Sequence, residues 1–597
     1  MANPLLRDRD VDFVLYDVLR VEQLLTLAPF VSHDRSSFDM LLDSVRRFAR
    51  TRLWPTYKPM DSDPPQFVDG KVAVHPAMHA VFADLTALGM VVAARPPSVG
   101  GDQLPRAVHS FASAYLMAGN LSAYGYIGLA AGAAHLLEAF GSEMLRATYM
   151  APIYQGRWLG TMALTEPQAG SSLADVTTRA TPALDGSYRI AGAKIFISAG
   201  DHDLTENIVH MVLARIDGAP TGTRGVSLFC VPKRRVIASG LVDNDVAVAG
   251  VLHKIGWRGL PSCALAFGDH GDCHGWLVGE PHRGLAAMFQ MMNEARIMVG
   301  MNGVATASVG YHESLAYARE RTQGRPLAAK DPNAPPVAIV QHADVRRMLL
   351  RQKAIVEGGL CLVGRTSMYA DLAEFAVEPT ERARAQALLD LLTPVAKSFP
   401  AERGFEANVL ALQIHGGYGY TSEYLVEALM RDQKLNSLHE GTTGIQGLDL
   451  LGRKVVAERG AGMRALRVEI ETTAAAAQTS GLDPTLATAV TTALTTVENL
   501  TRALVDKAAT GGPDAMLLHS ADYLELFSIL IIAWQHLAMA SAARAVSVTT
   551  DEDAAWVDGK LQAATYWLRT EVPRIVTLAE LCSAGEASYV KIADAGF

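Results

Sequence analysis

The spacing of the hydrophobic residues changes along this chain, and each change limits the folds it can adopt. In residues 37–156 apolar residues recur at intervals of three and four, which predicts helices. In residues 158–278 they form short β-branched runs separated by glycine, aspartate and proline, which predicts an antiparallel sheet or barrel. Long helical periods return in residues 285–453, and a last helical block follows from about residue 458.

This order predicts an α+β fold. We expect an N-terminal helical domain (1–157), a middle β-barrel or sandwich domain (158–282), a helical bundle (283–457) and a C-terminal helical extension (458–597). No long helical pattern interrupts the β region, so a βαβ array is excluded. Proline removes a backbone donor, so we expect breaks between helices at five places. They are Trp54-Pro55, Pro64-Pro65, Pro96-Pro97, Asp331-Pro332 and Phe399-Pro400.

Composition excludes several classes of protein. The net charge of -9 argues against a nucleic-acid binder, which needs a basic face. The five scattered cysteines contain no CxxC pair, so neither a disulfide framework nor a zinc ribbon is expected. The first residues lack the apolar core of a signal peptide, which favours a cytoplasmic location. The apolar run 526–534 is too short to span a membrane, and we interpret it as a buried helix.

Two segments around the start of the β region carry candidate ligand-binding groups. In the sequence MALTEPQAGSS (162–172), Thr165 and Ser171 offer hydroxyls, and Gly170 lets backbone amides approach a flat ring. The sequence KIFIS (194–198) places an aromatic ring and a hydroxyl on one strand. Read alone, the first segment is a strand ending in a turn, and the second is a strand with one exposed serine.

Three further segments lie close together near residue 430. They are QIHGGYGY (413–420), LMRD (429–432) and LHEGTTGIQ (438–446). In order and spacing, these and the two upstream segments resemble the acyl-CoA dehydrogenase family over roughly residues 37–453. One such match would be weak, but five in the family's order are improbable by chance.

The resemblance implies an FAD-dependent oxidoreductase of fatty acid metabolism that acts on an acyl-CoA and passes electrons to an electron-transferring flavoprotein. It also implies a homodimer, because the family's Arg and Gln at the positions of Arg321 and Gln323 reach the FAD of the neighbouring subunit. No integral membrane segment, nucleic acid or metal is expected. The FAD-binding residues that the resemblance implies are Met162, Leu164, Thr165, Gly170, Ser171, Phe196, Ser198, Arg321, Gln323, Gln413, Gly416, Gly417, Thr442 and Gly444.

The same resemblance implies substrate contacts by Ser171, Asn293, Arg296 and Gly441. This chain departs from the family pattern at four positions. Met162 stands where an aromatic residue is common, Ser172 and Asn293 replace aspartates, and Gly324 replaces a phenylalanine. These changes affect the details of substrate and cofactor contacts, and they leave the fold expectation unchanged.

Desaturating a thioester requires a base for the α-proton and donors that polarise the carbonyl. The resemblance implies that Glu440 is the base, that its own N–H and the flavin's ribityl hydroxyl bind the thioester oxygen, and that flavin N5 accepts the hydride. Some family members carry the base immediately before the arginine that corresponds to Arg296. Here that position is Ala295, and Glu294 is displaced by about 100° around the helix. His415 and His439 lack metal-ligand spacing, and we interpret them as structural.

Other functions remain open at this point. An acyl-CoA oxidase would use the same glutamate with oxygen as the acceptor. A related nitroalkane oxidase or monooxygenase would have a different base, and a non-enzymatic helical scaffold would bind no flavin. The C-terminal extension, together with FVLYDVL (13–19), resembles a subgroup of longer chains that includes 3-(methylthio)propanoyl-CoA dehydrogenases.

Overall fold

The computed structural model describes residues 3–326, 328, 331 and 333–597, without the side chains of residues 289–293. Its helices are α1 (Asp8–Asp12), α2 (Arg35–Phe48), α3 (Trp54–Ser62), α4 (Pro76–Ala87), α5 (Arg106–Gly119), α6 (Leu121–Phe140), α7 (Glu143–Leu145), α8 (Ala151–Tyr154), α9 (Gly284–Glu320), α10 (Ala343–Phe375), α11 (Pro379–His415), α12 (Val426–Lys434), α13 (Thr443–Asp449), α14 (Ala461–Thr479), α15 (Pro484–Leu517), α16 (Ser520–Ala543), α17 (Asp551–Thr570), α18 (Arg574–Ala584) and α19 (Ser588–Lys591). Its strands are β1 (Gln66–Val68), β2 (Lys71–Ala73), β3 (Leu159–Ala163), β4 (Arg179–Pro182), β5 (Tyr188–Ser198), β6 (Ile208–Ile216), β7 (Val226–Pro232), β8 (Arg234–Ile237), β9 (Gly240–Asp243), β10 (Val246–Val251), β11 (Ser262–Phe267) and β12 (His274–Val278). The predicted order of helices, strands and helices is confirmed.

The chain divides into two compact units. The sheet unit comprises Ser36–Leu104 and Ala112–Ala295. The bundle unit comprises Met1–Arg35, Pro105–Phe111 and Arg296–Phe597.

The sheet unit is built on an eight-stranded sheet. Seven strands follow the order β10-β11-β5-β12-β7-β6-β3, and β4 pairs with both β5 and β6. Most pairs are antiparallel as predicted, but β3 and β4 each run parallel to β6. The core below the sheet is made of the inward-facing apolar residues of these strands, including Val212, Phe229 and Phe267. The sheet thus rigidly holds the segment that follows β3 and the end of β5, which both carry predicted ligand groups.

In the bundle unit, the helices of residues 458–597 share one hydrophobic core with α10 and α11. The Phe399 ring of α11 meets the Trp567 ring of α17 edge-on, with centroids 5.7 Å apart. Burial of large aromatic rings contributes strongly to packing energy. The extension is therefore an integral part of the bundle's core.

Helix α16 contains the apolar run that we tested as a membrane span. By length and composition it could cross a membrane, but most of its residues are buried inside the bundle unit. Trp534 and Leu530, near its middle, are fully buried in the shared core. The interpretation of this run as a core helix is confirmed.

Of the predicted interruptions at proline, Pro64-Pro65 and Pro96-Pro97 lie between α-helices as expected, and Pro332 lies outside the described residues. The interruptions predicted at Trp54-Pro55 and Phe399-Pro400 are wrong. Helix α2 continues through a π-helical segment (Ala49–Leu53) directly into α3, and the continuous helix contains Pro55. Helix α11 runs unbroken through Pro394 and Pro400 to His415.

Candidate functional site

The segment after β3 and the strand β5 are joined through a buried ion pair in the sheet unit. Lys194 Nζ lies 2.8 Å from Glu166 Oε1, and it also donates to the carbonyl of Leu164 at 3.1 Å. The backbone N–H of Ile195 donates to the carbonyl of Thr165 at 2.9 Å. The two sequence motifs of this region therefore form one structural feature.

Glu166 is a structural carboxylate. Burial would raise its pKa, but the Lys194 charge and hydrogen bonds from Thr177 and Thr178 outweigh burial and hold the pKa well below its usual range. Burial lowers the pKa of Lys194 to about 8, although Glu166 opposes that shift. Because a glutamate held in this way is ionised, it cannot supply a proton near neutral pH. Glu166 instead fixes the loop that contains Thr165 against β5.

Phe196 has the backbone conformation expected of a functional position. It lies at a bulge of β5 against β11, with φ of 60°, and its side chain is 63% exposed. A phenylalanine at positive φ is strained, and such strain concentrates at ligand sites. A large exposed ring in a strained position is consistent with a surface that covers a bound ligand.

The hydroxyls predicted around Phe196 are available to a ligand. Among the described residues of the sheet unit, nothing hydrogen-bonds to the side chains of Thr165, Ser171 and Ser198. Gly170 and Ser171 lie in an exposed loop after the turn at Glu166, whereas Met162 lies within β3 and Leu164 directly follows it. The structure thus places this half of the predicted FAD-binding residues on β3, the loop after it and the end of β5.

The remaining predicted FAD-binding residues lie in the bundle unit, and several line one cleft. The cleft has a volume of about 490 Å³. Nothing lies within 4 Å of the point where a Cβ of Gly416 or Gly417 would stand, so the backbone there is open to a ligand. The Tyr317 and His415 rings stack with centroids 4.3 Å apart beside it. The lining residues are Tyr317, Arg321, Gln323, Ile339, Ile414, His415, Gly416, Gly417, Tyr418 and Thr421.

These groups fit the FAD that the resemblance implies. Arg321 supplies a permanent positive charge for a phosphate group. Gln323 and Gln413 are exposed, and their amide side chains make no hydrogen bond within the described part of the chain. The open glycine backbone and the aromatic pair suit a flat, polar ligand. Phe196 and the free hydroxyls of the sheet unit offer the same combination of a ring and hydrogen-bonding groups.

Glu440 occupies a loop whose conformation is held by its neighbours in the bundle unit. Its φ is 55°, and Gly441 follows at 88°. Gln446 Nε2 donates to the carbonyls of Glu440 (3.1 Å) and Gly441 (3.2 Å). A Cβ at position 441 would stand 2.6 Å from that amide nitrogen and would displace it, and the positive φ also favours glycine there. Lys397 Nζ also donates to the Gly441 carbonyl, at 2.8 Å.

The Glu440 side chain has the properties of a base. Burial raises its pKa, and the charges of Arg296 and Lys397 act against that rise. Among the described residues, no group hydrogen-bonds to its carboxylate, and its backbone N–H has no protein acceptor. Both the carboxylate and the N–H are therefore free to engage a ligand.

Arg296 is fully buried and is held by Asp449 on α13. Arg296 Nη1 donates to Asp449 Oδ2 at 2.9 Å, and Arg453 pairs with the other oxygen of Asp449 at 2.7 Å. The Arg296 Nε has no acceptor among the described atoms. Thr442 begins α13 as its N-cap by accepting from the N–H of Ile445, and Gly444 follows in the first turn.

The remaining candidates are Asn293, Glu294, His415 and His439. The Asn293 side chain lies outside the described residues. Glu294 pairs with His135 of α6, its Oε2 lying 2.8 Å from His135 Nδ1, which matches the expectation that it points elsewhere. His415 and His439 each contact the backbone carbonyl one turn earlier, as is typical of structural histidines, and His415 also lines the cleft.

Sequence reasoning missed Lys397 and Asp449. Asp449 lies beyond the last motif and meets Arg296 only through the tertiary fold. Lys397 had a detectable signal, because it is the lone charged residue in the run VAKSF (395–399) of a helix.

Four family models match the chain. They are acyl-CoA dehydrogenase, N-terminal domain (residues 36–157), acyl-CoA dehydrogenase, middle domain (161–270), acyl-CoA dehydrogenase, C-terminal domain (282–456) and acetyl-CoA dehydrogenase C-terminal like (466–593).

Two curated relatives cover most of the chain. The 3-methylmercaptopropionyl-CoA dehydrogenase of Ruegeria pomeroyi is 39% identical over 76% of this chain and 76% of its own length. The broad-specificity linear acyl-CoA dehydrogenase FadE5 of Mycobacterium tuberculosis is 34% identical over 99% of both chains.

Solved structures show the same fold. Caenorhabditis elegans ACDH-11, in complex with C11-CoA, matches with a TM-score of 0.77 at 19% identity, covering 95% of this chain and 91% of that one. An acyl-CoA dehydrogenase complexed with FAD from Bacillus anthracis matches with a TM-score of 0.73 at 19% identity, covering 94% and 90%. The chain therefore belongs to the acyl-CoA dehydrogenase family, a family of FAD-dependent oxidoreductases.

Proposed function

We propose that this enzyme desaturates an acyl-CoA thioester to the trans-2-enoyl-CoA, with Glu440 as the base that removes the α-proton. The observation that carries the proposal is the state of Glu440: a half-buried carboxylate without a hydrogen-bond partner among the described residues, on a loop held by Lys397 and Gln446. A carboxylate in this state is both basic and available.

The chain's own groups supply the acid–base and binding steps. The ionised Glu440 carboxylate accepts the α-proton, and its raised pKa makes it a stronger base than an exposed glutamate. The free N–H of Glu440 donates to the thioester oxygen and stabilises the negative charge that develops there. Arg296 and Lys397 keep enough positive charge near the carboxylate for it to remain ionised. FAD held by the residues assigned below would supply the redox chemistry, as the acceptor of the hydride from the β-carbon.

We assign FAD binding to the residues implied by the sequence, with Ser171, Asn293, Arg296 and Gly441 on the substrate. Their support is the open cleft at Arg321, the strained Phe196 and the free hydroxyls at Thr165 and Ser198. We also retain the division into domains at residues 157, 282 and 457, and a cytoplasmic location, as proposals.

The proposed acceptor is an electron-transferring flavoprotein. An oxidase has no support among the relatives, which are named as dehydrogenases at 39% and 34% identity. For the substrate we favour a short thioether acyl-CoA such as 3-methylthiopropanoyl-CoA, because the relative with 39% identity is named for it. A broader range of linear acyl-CoAs is the second candidate, because the relative that spans 99% of both chains is named for that range.

A panel of acyl-CoAs tests both the proposed electron acceptor and the proposed substrate class. We expect turnover with a dye acceptor or with the flavoprotein, and hydrogen peroxide formation at less than about one hundredth of that rate. In a dehydrogenase the closed site keeps oxygen away from the flavin, so turnover in air without dye should be slow. The kcat/KM values for methylthiopropanoyl-, butyryl-, octanoyl- and palmitoyl-CoA decide the substrate class. Peroxide formation that matches dye reduction would establish an oxidase instead.

We further propose a homodimer in which Arg321 and Gln323 contact the FAD of the partner. Replacing Arg321 by alanine should weaken FAD retention about 10- to 100-fold, because a hydrogen bond to a charged group contributes about 1.5–3 kcal/mol. FAD release on dilution, followed by flavin fluorescence, measures the change.

The matched control is Arg319→Ala, which removes an exposed arginine two residues earlier that does not line the cleft. It should keep FAD as tightly as the unchanged enzyme. Equal FAD retention by both variants would refute the proposed role of Arg321.

A further inference from the structure

Lys397 differs from the other buried lysines of the described chain. Three lysines are fully buried: Lys194, Lys397 and Lys560. Lys194 pairs with Glu166, and Lys560 pairs with Asp10 and Glu357. No described carboxylate lies within 4.0 Å of Lys397 Nζ. Burying an ammonium group without an ion-pair partner is costly, so its position needs another explanation.

The hydrogen bond that Lys397 does make falls on the loop of the proposed base. Its Nζ donates to the carbonyl of Gly441 at 2.8 Å, and Gln446 donates to the same oxygen. This carbonyl belongs to Gly441, the residue directly after Glu440, and both residues have positive φ. A non-glycine residue at positive φ is strained and persists only when its surroundings hold it. The ammonium group is one of the two side-chain donors that hold this turn.

Lys397 also places charge beside the base. Burial lowers the pKa of Lys397 to about 8, and the charges of Glu402 and Glu440 act against that shift. The titratable groups that act on this loop are Arg296 from α9, Lys397 and Glu402 from α11, and His439 within the loop itself. Arg296 is already bound to Asp449, so Lys397 is the cation of this set without an ion-pair partner.

We propose that Lys397 is a positioning residue for Glu440: its ammonium group holds the Gly441 carbonyl and keeps the carboxylate oriented and ionised for proton removal. The inference rests on the proposed role of Glu440 as base. On this proposal Lys397, a residue of α11 outside the sequence motifs, controls both the geometry and the charge of the base.

Replacing Lys397 by methionine tests the proposal on the FAD-loaded enzyme. We expect kcat to fall about 10- to 100-fold, because a base displaced by about 1 Å loses activity on that scale, with KM little changed. The acidic limb of the kcat–pH profile should move to higher pH, because loss of a nearby positive charge raises the pKa of Glu440. A merely structural role would lower stability without moving that limb.

Two further variants separate the effect of the Lys397 charge from that of its hydrogen bond. Lys397→Arg keeps a charged donor and should restore kcat and the position of the acidic limb in large part. Lys397→Gln keeps a donor but no charge, and it should show the shifted limb even if the methionine variant fails to fold. Wild-type kcat and an unmoved limb in both uncharged variants would overturn the proposal.

Lys560→Met serves as the matched control for removal of a buried lysine. It lies in the ion-pair cluster at Asp10, so its kcat per bound FAD should be unchanged. Failure of the inference about Lys397 can be distinguished from failure of the proposed role of Glu440. If Glu440→Gln is inactive while the uncharged Lys397 variants behave as wild type, only the inference about Lys397 fails, whereas full activity of Glu440→Gln removes the base itself.

Discussion

Replacing Glu440 by glutamine is expected to lower kcat by on the order of 10³-fold or more, because an amide cannot accept the α-proton and general-base catalysis contributes about 10²–10⁴-fold. The amide is nearly isosteric, and the free N–H of residue 440 remains, so FAD and acyl-CoA should stay bound. The expected result is a yellow protein that binds substrate and does not reduce the dye. Exchange of the substrate α-proton with deuterated water should be lost in parallel, which separates the base from the redox step.

Glu294→Gln is the control, since this second glutamate lies close to the same arginine in sequence. Its carboxylate pairs with His135, and it should be dispensable for proton removal. We expect its kcat to lie within about three-fold of the unchanged enzyme, as for a residue without a role in the transition state. If Glu294→Gln lost α-proton exchange while Glu440→Gln stayed active, Glu294 and not Glu440 would be the base.

The fold could be predicted because the period of the hydrophobic pattern is a local property. Helical spacing in residues 285–453 follows from one buried helix face, and the short β-branched runs in residues 158–278 follow from strands such as β6 and β7 that are buried on both faces. The parallel pairing of β3 and β4 with β6 could not be predicted, because it depends on which strands become neighbours. No local pattern of these short strands specifies that arrangement.

The proline interruption expected in α11 was wrong for a tertiary reason. Pro400 leaves the carbonyl of Ala396 without its helical donor. That oxygen packs against Gly300 of α9 so closely that a Cβ there would stand 2.0 Å away. The carbonyl of Pro400 accepts from Gln433 at 2.8 Å. Both contacts come from helices far away in sequence, α9 and α12, and neither is visible from the residues around Pro400.

The candidate site divides in the same way. Residues in contiguous motifs, such as Gly416, Gly417 and Glu440, could be named from the sequence alone. Lys397 and Asp449 act on that site only because helices far apart in sequence pack together. The Lys194–Glu166 pair joins two recognised motifs, yet its contact was not predicted, since neither motif indicates how they meet.

The N-terminal segment, residues 3–18, is anchored to the bundle by a buried ion-pair cluster. Lys560 of α17 lies 2.8 Å from Asp10 and 2.9 Å from Glu357 of α10. The Trp556 indole also donates to Asp10 at 2.7 Å. Burial would raise the pKa of Asp10, but the charges of Lys560 and Lys353 outweigh it and hold the pKa below its usual range. The pair therefore stabilises the fold above about pH 4, the ordinary pKa of an aspartate, and this stabilisation is lost as pH falls through the lower folded-state value.

Lys560→Met should reduce the free energy that keeps this segment closed by about 3–5 kcal/mol, because it removes the cation that Asp10 and Glu357 share and leaves them only Lys353. Hydrogen exchange of amides in α1 and the following turn reports this local opening directly. We expect those amides to exchange on the order of 10²- to 10³-fold faster at neutral pH, since each 1.4 kcal/mol corresponds to a factor of ten.

Two further variants distinguish loss of the ion pair from loss of packing. Arg569→Met removes an exposed partner of Asp483 from the same helix, and a surface pair contributes about 0–1 kcal/mol, so exchange in α1 should hardly change. Adding Asp10→Asn to Lys560→Met removes the carboxylate that has lost its direct cation, while Glu357 keeps its pair with Lys353. This double variant should recover much of the protection, because buried ion pairs can often be replaced by neutral groups at little cost. Exchange that stays fast in the double variant would show that the lysine stem, packed near the Phe13 and Trp556 rings, anchors the segment instead of its charge.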